Sequence, residues 1–240
     1  MYYSSWRGVV GVIKATGRPG SLEEFIRLLP EGIGVIPSFL GIKAGTENEF
    51  IDVLEVMKEK IAELAKMKVD LIHPEAAPVF MLRGYKGEEE IVRGYEGKYG
   101  IPIFTSGMSQ VEALRALGVK RIVGVTYFKG EINQKYAHYF SEAGFEVLGM
   151  EGISSFSEIK KVSYQEVYAL TKKQYLQHKD AQGIYMHGSA WPGLEFIQIL
   201  EQDLNIPVVH PIPARVWAIQ KRLYVRQPVK GYGRLLEEMP

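Results

Sequence analysis

Short apolar runs alternate with longer amphipathic stretches along the whole chain. Runs rich in β-branched residues predict strands over residues 8–14, 32–37, 69–73, 101–105, 121–127, 146–150, 183–186 and 207–210. Between them, helical periodicity predicts helices over 21–29, 47–67, 88–99, 109–117, 131–143, 164–178, 194–204 and 213–223. Ser21-Leu22-Glu23-Glu24 reads as a capping-box start. Ile51, Leu54, Met57, Ile61 and Leu64 recur on one helical face. The strand runs are continuously apolar rather than alternating, which predicts an α/β fold with parallel sheets covered on both faces by helices.

The pattern repeats half a chain apart. Gly11-Val12-Ile13-Lys14 and Gly124-Val125-Thr126-Tyr127 each close an apolar run. At nearly equal distances downstream come Leu71-Ile72-His73-Pro74-Glu75 and Tyr185-Met186-His187-Gly188-Ser189. Ile101-Pro102-Ile103-Phe104-Thr105-Ser106 is echoed by Ile206-Pro207-Val208-Val209-His210-Pro211. The echo predicts two similar lobes, 1–118 and 119–225, that set two half-sites face to face. The segment 213–240 is expected to pack back on the first lobe or on a partner subunit, with an irregular tail after residue 225.

Composition narrows the function classes. Lys and Arg total 29 against 28 Asp and Glu, so there is no basic footprint for nucleic acid. The absence of cysteine excludes disulfides, thiolate metal sites and a cysteine nucleophile. No run approaches the ~20 apolar residues of a membrane span, and the N-terminus lacks the apolar core of a secretory signal. A cytoplasmic protein is expected.

In open parallel sheets ligands bind beyond the carboxyl ends of the strands. Those ends carry Lys14, Arg18, His73, Glu75, Thr105, Ser106, Tyr127, His187, Gly188, Ser189 and His210. Imidazole accepts and returns protons near neutrality, although a strand-end histidine also serves as a plain core residue. Glu75 can orient His73 or act as an acid itself, and Tyr127 can donate to a developing oxyanion or simply fill the core. Gly188-Ser189-Ala190 can present free N–H groups to an anion. Gly17-Arg18-Pro19-Gly20 is either a carboxylate clamp or a surface turn. Ser189 lacks the GxSxG context of a serine hydrolase. His73, Glu75, His187 and His210 also make a possible zinc set, without the local spacing of a strong zinc motif.

At these residues the chain resembles the arylmalonate decarboxylase and maleate cis-trans isomerase family, within the aspartate/glutamate racemase superfamily. The resemblance is clearest from Thr105 to Tyr127, including Val111-Glu112-Ala113-Leu114-Arg115-Ala116-Leu117-Gly118-Val119-Lys120-Arg121-Ile122, and returns at Gly183–Gly188 and Ile206–Trp217. It implies two pseudo-symmetric Rossmann-like lobes, each a four-stranded parallel sheet, with the active site in the cleft. It also implies cofactor-independent chemistry by one or two cysteines, with a tyrosine, backbone N–H groups and hydroxyls holding the substrate carboxylate. In this chain Ala76 stands at the first cysteine position, followed by Ala77 and Pro78 in place of hydroxyl residues. His187 stands at the second, Tyr127 matches the family tyrosine, and Gly188 matches the glycine after the second cysteine.

The leading expectation is therefore an enzyme without a cofactor, acting beside a carboxylate or carbonyl of a small carboxylic acid. His187 would carry the proton, Tyr127, Gly188 and Ser189 would hold the developing charge, and His73 and Glu75 would face them. Ala76, Ala77, Thr105, Ser106, Lys14, Arg18 and His210 complete the expected binding surface. One alternative is a zinc-dependent hydrolase or lyase at the histidine set, and another a small-acid-binding protein with an inactive cleft. A homo-oligomer is possible on this reading; nucleic-acid and membrane partners are not expected.

Overall fold

In a computed structural model of the protein, residues 5–17, 20–43, 46–153, 159 and 161–240 are described. The first half runs β1 (Gly8–Lys14), α1 (Gly20–Leu28), β2 (Ile33–Phe39), α2 (Glu47–Lys66), β3 (Leu71–Pro74), α3 (Ala77–Met81), α4 (Gly84–Tyr99) and α5 (Ser106–Ala116). The second runs β4 (Arg121–Thr126), α6 (Glu131–Glu142), β5 (Glu146–Gly152), α7 (Tyr164–Gln177), β6 (Gly183–Met186), α8 (Ile197–Leu204), β7 (Val208–Val209), α9 (Pro211–Arg222) and α10 (Arg234–Glu238).

Two parallel sheets result, ordered β2-β1-β3 and β5-β4-β6-β7. The strand cores are buried: Val10, Val12 and Ile13 of β1 with Leu71 and Ile72 of β3 in one sheet, Ile122, Val123 and Val125 of β4 in the other. That is why these runs are apolar at every position. Matching order in the two sheets accounts for the sequence echo.

The expected fourth strand of the first sheet, 101–105, is reduced to a single parallel bridge between Ile72 and Ile103. Two hydrogen bonds hold it, Ile72 N to Pro102 O and Phe104 N to Ile72 O. Thr105 then turns the chain at once into α5, its hydroxyl accepting from Met108 N as the helix cap.

Two local expectations change. Ser21 lies inside α1 rather than capping it, and its hydroxyl accepts a hydrogen bond from Lys14 instead. The capping box falls at Ser163 and Glu166. The tail after 225 is not wholly irregular: it contains α10, which packs on α9 and buries Leu235 and Leu236. Helix α9, although it follows β7, packs against α1 and α5. Ten of its residues are buried, so it is a core element rather than a surface helix. Among the described residues no helix is long and apolar enough to cross a membrane.

Candidate active site

Strand register builds the site. In the first sheet Ile13 pairs with Pro74, so Lys14 and Glu75 emerge side by side, and Glu75 N donates to Ile13 O. In the second, Val125 pairs with Met186 and His187 N donates to Val125 O, which brings the ends of β4 and β6 together. A cavity of about 500 Å³ opens between these ends, with Lys14, Glu75 and Ala77 from the first half and Tyr127, His187 and Ser189 from the second among its walls.

Glu75 is the hub. Its carboxylate accepts from Lys14 Nζ at 2.9 and 3.2 Å and from the Ser189 hydroxyl at 2.9 Å. Arg215 on α9, with no exposed surface, places Nη1 2.6 Å from the same carboxylate, donates Nη2–H to Ser21 O at 3.0 Å, and lies over the Phe25 ring. Burial works to raise the Glu75 carboxyl, but the charges of Arg215 and Lys14 and the hydrogen bonds outweigh it and hold it at about 2. Burial lowers the Lys14 ammonium from its ordinary value, opposed by Glu75 and assisted by Arg215.

His187 lines the cavity but sits in an aromatic box. Its ring centroid lies 4.8 Å from Tyr127 and 4.5 Å from Tyr136. Nδ1 is 2.9 Å from the Tyr185 hydroxyl, and Nε2 is 3.5 Å from that of Tyr136. Burial alone drops its pKa to about 3, so the ring is neutral at physiological pH rather than titrating near neutrality as an exposed imidazole would. Next to it Gly188 has φ +72°, and a Cβ there would overlap the Tyr127 ring. Only glycine lets backbone and phenol approach this closely.

Ser106, Ala76, Ala77 and Gly188 also line the cavity, and the Ser106 hydroxyl donates to Glu75 O. Arg18 lies outside the described residues. Three other expected residues are not in the wall. His73 is fully buried, stacked on Phe104, with Nδ1 2.9 Å from Phe104 O; it does not face Tyr127 or His187. Thr105 serves as the α5 cap. His210 caps α9, its Nδ1 accepting from Ile212 N. The zinc set is thereby not assembled: among the described residues no group of three His, Asp or Glu side chains is placed to hold a metal ion.

Two contributors escaped the sequence reading. Arg215 carried a signal, a lone charge inside the apolar run Ala214 to Ile219. Gln110 carried none; from α5 its amide nitrogen donates to Met186 O at 2.8 Å, tying the first half to the end of β6, and the side chain reaches the cavity.

The sequence model of the arylmalonate decarboxylase family matches residues 20–236. The arylmalonate decarboxylase of Bordetella bronchiseptica is 25% identical over 215 residues, covering 88% of this chain and 89% of that one. A maleate isomerase of Nocardia farcinica is 26% identical over 136 residues, 56% of this chain and 54% of the isomerase. Among solved structures, a liganded double mutant of arylmalonate decarboxylase superposes with a TM-score of 0.86 at 23% identity, covering 96% of this chain and 99% of the mutant. The maleate isomerase Iso of Pseudomonas putida S16 gives 0.83 at 22% identity, covering 97% and 99%. With a family match that runs from α1 into α10 and takes in every cavity residue from Ser21 onward, the chain belongs to the arylmalonate decarboxylase family.

Proposed function

We propose that this protein is a cofactor-independent acid/base enzyme of the decarboxylase or isomerase type, acting on the carbon beside the carboxylate of a small carboxylic acid. Family membership supports the reaction class, and the named activities of the two curated relatives support small acids as substrates. The observation that carries the reading is the cavity between two sets of strand ends, with Tyr127, His187 and Gly188 on one side and the buried Lys14–Glu75–Arg215 network on the other.

Lys14 and Arg215 bring two positive charges to a single Glu75 carboxylate. These cations would attract a bound carboxylate, an attraction that Glu24 in the same wall partly offsets. Tyr127 and the backbone N–H groups at Gly188 and Ser189 would hold the oxygen on which negative charge develops. His187 stands where the resemblance sets a cysteine. Held neutral by burial, it would deliver the proton from a neutral ring, a weak acid that suits only a strongly basic carbanion carbon.

Wild type and His187→Ala are compared for deuterium incorporation from D2O into phenylmalonate, maleate and phenylacetate and their products, read by NMR. The variant is expected to lose ~10²–10⁴ of the rate on whichever acid turns over, the usual contribution of a positioned acid/base group. Full activity in the variant removes His187 from the mechanism, and no exchange by wild type into any of these acids discards the acid/base reading.

A further inference from the structure

We propose that Tyr185 is a positioning residue that fixes which nitrogen of His187 carries the proton, so that the proton leaves for the substrate carbon from Nε2. The inference rests on the acid/base reading above. It starts from a count of protons around the ring. Tyr185 lies on β6 two residues before His187, has no exposed surface, and packs its ring on Phe140 at 4.3 Å. Tyr136 of α6 is equally buried on the other side of the imidazole.

Burial keeps both phenols protonated at working pH; Tyr127 and Glu88 are the titratable groups that face the pair. Two hydroxyl protons and one ring proton therefore share two contacts, Tyr185 Oη to Nδ1 at 2.9 Å and Tyr136 Oη to Nε2 at 3.5 Å. Among the described residues neither hydroxyl has another hydrogen-bond partner. A neutral imidazole offers one acceptor nitrogen, and a buried O–H without an acceptor is costly, so the two hydroxyls compete for it. The 2.9 Å contact has hydrogen-bond length, whereas 3.5 Å is at the limit. Tyr185 wins: it donates to Nδ1, and the ring proton sits on Nε2. With Nδ1 turned to the core residue Tyr185, Nε2 is the nitrogen left to serve the cavity that His187 lines.

In the step itself the Nε2–H bond breaks and a C–H bond forms at the carbanion carbon. The electron pair of the broken bond stays on Nε2, and the ring becomes an imidazolate. Two donors then meet two acceptors, Tyr185 at Nδ1 and Tyr136 at Nε2. The hydroxyl pair has one proton too many for the neutral ring and the right number for the anion, which eases release from so weak an acid. Water entering the cavity returns a proton to Nε2 and leaves as hydroxide.

The test reads the tautomer directly, by two-bond proton–nitrogen NMR correlation of the imidazole, with the His187 signals assigned by their loss in His187→Ala. Wild type is expected to show a lone-pair Nδ1 and a protonated Nε2; a protonated Nδ1 overturns the proposal, whether or not any variant folds. Tyr185→Phe keeps the ring packing and removes only the hydroxyl, so Tyr136 becomes the sole donor and draws the lone pair to Nε2, moving the proton to Nδ1. In that variant kcat on the active acid among phenylmalonate, maleate and phenylacetate is expected to fall at least ~10-fold, within the ~10²–10⁴ carried by the whole imidazole, with KM and thermal protection by that acid unchanged. An unmoved tautomer, an unmoved kcat, or a loss confined to KM overturns the proposal. A wild type that turns over with the proton on Nδ1 defeats this proposal alone, whereas a wild type inert toward all three acids defeats the reading beneath it.

Discussion

The hydroxyl of Ser189 donates to Oε1 of Glu75 at 2.9 Å across 114 residues of chain. This bond ties the loop after β6 to the loop after β3, so the two halves share one polar network at the cavity. Lys14 and Arg215 complete that network from β1 and α9. With Ser21 of α1, which accepts from both cations, its members come from five separate parts of the chain, and each constrains the others.

Removing the hub should be costly. Glu75→Ala removes the counter-charge that both buried cations contact directly, and loss of one partner from a buried ion pair typically costs ~3–5 kcal/mol. Chemical denaturation is expected to show a loss in that range at neutral pH. A loss below ~1 kcal/mol would mean that water screens the network.

Gly188→Ala is expected to damage both fold and activity. The position has φ +72°, and a methyl group there runs into the Tyr127 ring. Backbone strain alone costs ~1–3 kcal/mol, and relief by moving Tyr127 displaces the group proposed to hold the oxyanion. Turnover should fall more than tenfold together with the melting temperature. Unchanged values for both would show that the ring can yield.

Acid should unfold the protein steeply. His73, His187 and His210 each have a pKa near 3 in the fold against an ordinary 6.5. The unfolded chain therefore binds more protons, and the stability from keeping these rings neutral is complete above about 6.5 and lost as pH falls toward 3. Three such groups give a slope of up to ~4 kcal/mol per pH unit. Glu75, held at about 2, adds to the loss below its ordinary 4.5. Denaturation followed from pH 7 to 3 checks the slope, and a triple variant with these histidines replaced by Gln or Asn should flatten it. The rate profile should show no His187 inflection near 6.5.

Glu88 should act with the opposite sign. Burial raises it to about 7, against hydrogen bonds from Thr105 and Tyr139. Its folded pKa lies above its unfolded one, so its contribution is present below about 4.5 and lost as pH rises through 7. Glu88→Gln is expected to remove that loss, making the variant less sensitive than wild type to a shift from pH 6 to 8 in thermal melts.

The apolar periodicity determined most of the architecture, because a strand covered on both faces must be apolar throughout and a strip of helix facing the core must recur every three or four residues. The repeat of Lys14–Glu75 against Tyr127–Ser189 likewise followed from two sheets of matching order. What the chain alone did not decide is which polar strand ends face the cavity. His73 and His210 carry the same signal as His187, yet ring orientation and capping bonds turn them into the core. Arg215 joins the site only because α9 packs back against α1, a contact 194 residues apart in sequence. Burial also sets the protonation of His187, since desolvation depends on everything packed around the ring. Local pattern specifies elements; proximity between distant elements, and the solvent it excludes, specifies chemistry.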